Sequence, residues 1–84
     1  MSGEEHQKLV MKTVEYFKAI GDYNRMSIIK ILASNMRTSI GVAELARILK
    51  ISQPATSQHL KILKNVNLLK SKKEGNYNFY YINA

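Results

Sequence analysis

Between Gln53 and Leu69 the chain carries no acidic residue, and that stretch holds Gln53, Thr56, Ser57 and Gln58, then Lys61 and Lys64. Small uncharged donors and acceptors are what a helix needs on the side it turns into a DNA major groove about 12 Å wide. Lysines farther along can neutralise the phosphates that flank the groove. Other chemistry fits these residue types less well. A hydroxyl nucleophile needs a base and a group to orient that base. For Ser52, Thr56 and Ser57 the only nearby base is His59, two positions from Ser57, and residues two apart on a helix do not face each other. Histidines stand only at 6 and 59 and cysteine is absent, so the three or four ligands of a zinc site are not on offer. No catalytic residue, metal or cofactor is expected. The ordinary alternative is a solvated helix face, but a face chosen for stability alone would carry more Glu and Ala.

Charge supports the first reading. Of 84 residues with formal charge +7, residues 1–46 hold six Lys/Arg against five Asp/Glu. Residues 47–84 hold seven Lys/Arg against Glu74 alone. A basic half on a near-neutral half suits a polyanion. The length suits one domain over residues 1–84. No apolar run approaches the roughly 18 residues of a membrane span. Met1–Lys8 shows no secretory pattern, so a cytoplasmic location is expected.

The elements that must hold these side chains follow from periodicity. A first helix is expected over about 4–20, with Val10, Val14 and Phe17 on one stripe and Leu9, Thr13, Tyr16 and Ile20 on another. So wide an apolar arc suggests a second surface, such as another copy of the chain, with deeper burial in its own core as the alternative. Gly21 ends that helix. Asp22 is an N-cap for a second helix over 22–34. Ile40 could add a short strand. A third helix spans 42–50 and a fourth 53–66, opened by Ser52 and tolerant of Pro54 in its first turn. On the fourth, Ala55, His59, Ile62 and Val66 form one inner row, and Leu60 and Leu63 another. Gln53, Ser57, Lys61 and Lys64 fall opposite, with Gln58 on the flank. His59 is expected half-buried, with a phosphate as the one partner open to it. Asn67 is suited to a left-handed close. Strands over 68–73 and 77–82 flank the turn Glu74-Gly75-Asn76, and Tyr80 is expected in the core.

Two short helices with a tight turn, then a hairpin, describe a mainly α domain with a small β-hairpin wing (α+β), a winged helix-turn-helix. The expected DNA contacts are Ser52, Gln53, Thr56, Ser57, Gln58, Lys61 and Lys64 from the fourth helix. The hairpin adds Lys72, Lys73, Asn76 and Tyr77 at a tip suited to backbone or minor groove. The rival function is a winged-helix module that binds a partner protein through its apolar first helix. Paired carboxylates, a Gly-rich phosphate loop and a pocket-sized core are missing from the sequence, which argues against an enzyme.

At this point the chain resembles a family. Ile51-Ser52-Gln53-Pro54-Ala55-Thr56-Ser57-Gln58-His59-Leu60-Lys61-Ile62-Leu63 is similar to the recognition helix of ArsR-type (arsenic-repressor-like) regulators. Ile20-Gly21-Asp22-Tyr23-Asn24-Arg25 resembles the start of that family's second helix, with Tyr23 where Pro is frequent. Glu74 to Tyr81 resembles its wing. The resemblance implies a homodimeric repressor on an inverted-repeat DNA operator. It also implies dimerisation through the first helix and, usually, a helix after the wing. These 84 residues hold little beyond the wing, which leaves Leu9, Val10, Thr13, Tyr16 and Phe17 as the expected dimerisation residues. The family's C-x-C metal pair falls on Gly41 and Ala43, which cannot ligate, so an effector stays unassigned.

Overall fold

The computed structural model describes residues 1–36 and 38–83. Helix α1 (Gly3–Ile20) begins where the Ser2 hydroxyl accepts the Glu5 N–H at 3.1 Å. Glu4 and Glu5 in its first turn and Lys18 in its last complement the helix dipole. Gly21 closes it with φ −77, so its need for glycine is steric and not left-handed. A Cβ there would stand 2.9 Å from the Phe17 carbonyl oxygen.

Helix α2 (Tyr23–Ser34) starts at Asp22, whose Oδ1 accepts the Arg25 N–H at 3.0 Å. Strand β1 (Ile40–Gly41) runs directly into α3 (Val42–Leu49). Lys50, left-handed at φ 58, ends α3 and makes the tight turn to α4 (Gln53–Asn65). Ser52 Oγ caps α4 by accepting the Ala55 N–H at 3.1 Å. Asn67 at φ 63 turns the chain into β2 (Leu69–Glu74), and Gly75 at φ 59 turns it into β3 (Tyr77–Ile82).

The sheet is antiparallel with order β1-β3-β2. Leu69 faces Ile82 and Glu74 faces Tyr77, while Ile40 and Gly41 pair with Tyr80 and Phe79. Thus the short strand expected at Ile40 borders the wing. Asn83 pins the end of the wing: its N–H donates to the Leu68 carbonyl and its side-chain amide to the Asn67 carbonyl.

Ala19, Ile28, Leu32, Ile40, Leu45, Leu60, Leu63 and Leu69 form one core, with half-buried Tyr80 packed against it. The architecture is a winged helix-turn-helix, with the expected elements within one or two residues of their bounds. Of helix α1, Ala19 is buried in that core and Ile20 packs against it, while every residue from 3 to 15 is exposed. Burial of α1 in its own domain is therefore not what the fold does. The helix projects, and the molecule is 45 Å long by 24 by 22 Å.

Candidate nucleic-acid interface

The outward edge of α4 carries Gln53, Ser57, Gln58, Lys61 and Lys64, all exposed, beside exposed Ser52. Leu60 and Leu63 lock the opposite edge into the core with no exposure. Because the buried edge fixes the helix's rotation, the polar edge can face only outward. No α4 residue carries negative charge, and the free N–H groups of its first turn add partial positive charge.

Thr56 does not belong to that edge. Its side chain is 0% exposed, and its hydroxyl donates to the Ser52 carbonyl at 2.9 Å. Thr56, Leu60 and Leu63 share one helical stripe, and the stripe packs inward. The expectation that Thr56 reads DNA is corrected: it is a core residue whose hydroxyl is satisfied within its own helix.

The hairpin tip comes to the same side as the start of α4. Gln53 lines one shallow cleft with Asn76, Tyr77 and Asn78 from the wing and with Gly41, Val42 and Ala43 from the start of α3. Tyr77 stands 72% exposed there. Farther along, Lys64 Nζ donates to Ser71 Oγ at 2.7 Å, tying the end of α4 to β2. Sequence reasoning missed Ser71, Asn78 and the start of α3; only the pairing of β1 with β3 brings the last of these to the wing. Lys73 is exposed, while Lys72 Nζ lies 3.3 Å from Glu74 Oε1, so part of its charge is already answered.

His59 is half-buried, as expected, but it faces inward. Its Nδ1 lies 3.2 Å from the Arg25 guanidinium and 3.9 Å from Asp22 Oδ1. Contacts within the protein thus engage Nδ1 of His59. The Arg25 backbone N–H does most to hold the Asp22 carboxyl below the usual carboxylate range; burial, the next-largest effect, opposes it, and the Arg25 charge, a protonated His59 and the Asn24 N–H add smaller help.

The sign of that shift sets a test. A carboxyl depressed in the folded state stabilises it above the unfolded value, near 3.8, and the contribution fades as pH falls through the folded value. Asp22→Asn keeps a cap of similar quality but no charge. In thermal melts, wild type should exceed this variant most near neutral pH, and the gap should close below pH 3.8. A gap that stays constant into acid would show that the charge contributes nothing.

Among the described residues, no group of three or more His, Cys, Asp or Glu could hold a metal. None of their helices is long and apolar enough to cross a membrane.

Comparison with known proteins gives consistent likenesses. Residues 22–71 match the family described as bacterial regulatory protein, arsR family. An uncharacterized HTH-type transcriptional regulator of Methanocaldococcus jannaschii is 48% identical over 71 residues, covering 84% of this chain and 78% of the relative. The arsenical resistance operon repressor of Bacillus subtilis is 32% identical over 80 residues, covering 95% and 74%. In fold, the chain is similar to the solution structure of a homodimeric winged helix-turn-helix DNA-binding domain from Mycobacterium bovis. That likeness has a TM-score of 0.86 at 23% identity and covers 100% of this chain and 77% of that one.

Proposed function

This chain belongs to the arsR family of bacterial regulatory proteins, and on that premise we propose that it is a homodimeric repressor acting on an inverted-repeat operator. It is a DNA-binding transcriptional regulator, as its family's members are. One observation carries the finer reading: the polar, acid-free edge of α4 and the basic wing share a side, with Gln53 lining one cleft together with the wing tip.

In this reading Gln53, Ser57 and Gln58 meet base edges, where their amides and hydroxyls both donate and accept. Ser52 and the free N–H groups behind it meet a phosphate at the start of α4. Lys61 and Lys64 take flanking phosphates. Lys72, Lys73, Asn76 and Tyr77 reach backbone or minor groove beyond. Two copies joined along α1, through Leu9, Val10, Thr13, Tyr16 and Phe17, would set two recognition helices about 34 Å apart, one turn of DNA. Bound at a promoter, such a dimer would block it; the Bacillus subtilis relative is named a repressor. The cytoplasm, where bacterial and archaeal promoters lie, is the matching location.

Selection from random duplexes should enrich one inverted repeat, with binding that weakens steeply in salt. Recovery of no motif, or of a motif without two-fold symmetry, would overturn the proposal. Once the duplex is known, two substitutions separate the two roles. Gln53→Ala should cost about 1–3 kcal/mol on the preferred site and relax preference at one base pair. Lys73→Ala should weaken all duplexes alike and lower the salt slope by about 1; it is a cleaner choice than Lys72, which already faces Glu74. Equal effects of both changes on every sequence would refute the division.

A further inference from the structure

Arg25 touches three helices at once. It sits on α2, yet its Nε donates to the Ala19 carbonyl and its Nη2 to the Lys18 carbonyl at 3.4 Å. Both carbonyls belong to the last turn of α1, where no intrahelical N–H reaches them. Its Nη1 lies 3.2 Å from Nδ1 of His59, on α4. The projecting helix and the DNA-reading helix are therefore linked through one guanidinium.

That link fixes the protonation state it requires. A guanidinium only donates, so His59 Nδ1 must accept, with its one proton on Nε2. A second proton placed on Nδ1 removes the acceptor and sets two cations side by side. The same nitrogen then becomes a donor, and the acceptor within reach is Asp22 Oδ1 at 3.9 Å. The charged groups facing His59 are thus Asp22 and Arg25 on α2, with the Lys18 and Ala19 carbonyls of α1 held behind Arg25. One protonation exchanges Arg25 for Asp22 as the partner of the recognition helix.

Resting on the DNA-binding reading above, we propose that Arg25 and His59 are positioning residues that hold α4 at its working angle to α1, and that protonation of His59 opens this joint and releases the operator. The sign is distinctive. Added positive charge by itself strengthens binding to DNA, so weakening in acid must come from lost geometry.

The experiment titrates the duplex recovered by selection with wild type, His59→Gln and Arg25→Gln at about pH 8 and about pH 5.5, the range in which histidine changes charge. Wild type should lose about tenfold in affinity at the acid end, the size of one charge-assisted hydrogen bond. His59→Gln offers Arg25 an amide oxygen that does not titrate. It should bind at both pH values within about twofold of wild type at pH 8. Arg25→Gln, too short for all three contacts, should already bind at pH 8 as wild type binds in acid. In parallel, NMR titration of the DNA-free protein follows the amides of residues 18–20 and 58–62. They should shift together with the His59 imidazole in wild type and stay still in His59→Gln, which also leaves His6 as an internal control. Identical pH profiles for wild type and His59→Gln, or α1 amides that ignore His59, would overturn the joint. Failure of selection to yield any duplex would instead remove the DNA reading, and the NMR titration would still decide the joint.

Discussion

Val14→Glu with Phe17→Glu should yield a folded monomer that binds its operator about 10²–10⁴-fold more weakly than wild type. Phe17 is 66% exposed and Leu9 52%, and Val10, Met11 and Val14 stand exposed beside them. Their own domain does not cover them, so two carboxylates there cost the isolated fold little. A second copy laid along the same face would have to bury both charges, which is prohibitive without partners. The lost affinity follows from linkage. Two recognition helices on one rigid dimer make the second half-site contact intramolecular, and breaking the dimer discards that gain of about 10²–10⁴.

Helix stability leads to the same conclusion by a separate route. From residue 3 to 15 α1 is exposed throughout, and a solvated helix of such length is marginal in water by itself. Its N-cap helps, because the Ser2 hydroxyl accepts the Glu5 N–H, but a cap does not replace a packed face. The double variant should accordingly lose part of its helical circular dichroism in the α1 portion, while the core keeps its cooperative melt. Lys8→Glu changes net charge by the same two units without touching the apolar arc, and it should stay dimeric. Analytical ultracentrifugation and operator titration decide the matter. A dimer that survives Val14→Glu/Phe17→Glu would move the interface elsewhere, and a monomer that binds the full operator as wild type does would remove the need for one.

Much of this is legible in the sequence. Asp22 and Ser52 mark helix starts because an oxygen two or three bonds from the Cα accepts first-turn N–H groups, and both do so. Asn67 tolerates the left-handed turn foreseen for it. The wing follows from alternation and one glycine turn. Other features were hidden because they depend on distant pairing. Nothing local says that Gly41 will pair with Phe79, or that Lys64 will find Ser71. The Arg25–His59 contact spans 34 positions and joins two motifs that each look self-sufficient. Thr56 was misread for a different reason. Its spacing to Leu60 and Leu63 already placed it on the inner stripe, but its residue type suggested a polar face. Position outweighs type, because a threonine hydroxyl can return to the carbonyl four residues back and so enter the core with its hydrogen bond satisfied.

Thr56→Gln turns that lesson into a measurement, and its expected effect is large. A glutamine at a DNA-facing site would be accommodated in water, change base preference and leave the melting temperature alone. At the observed site, with no exposure and the core leucines packed around it, the longer chain overpacks by about 1–3 kcal/mol. Its amide also enters without partners, for about 1–3 kcal/mol more on mutational scales. Against a total stability of roughly 0.05–0.15 kcal/mol per residue, that is a large share for a chain of 84 residues. The melt should fall by roughly 10 °C or more in the absence of DNA. Ser57→Gln, one position on and exposed, should leave the melt unchanged and act only on binding. Thr56→Val keeps the shape and loses one hydroxyl whose acceptor still receives the Thr56 N–H at 3.0 Å, so it should cost about 1 kcal/mol or less. If Thr56→Gln melted like wild type and altered DNA preference, the stripe through Leu60 and Leu63 would have to be rotated, and the outward edge of α4 would be redrawn with it.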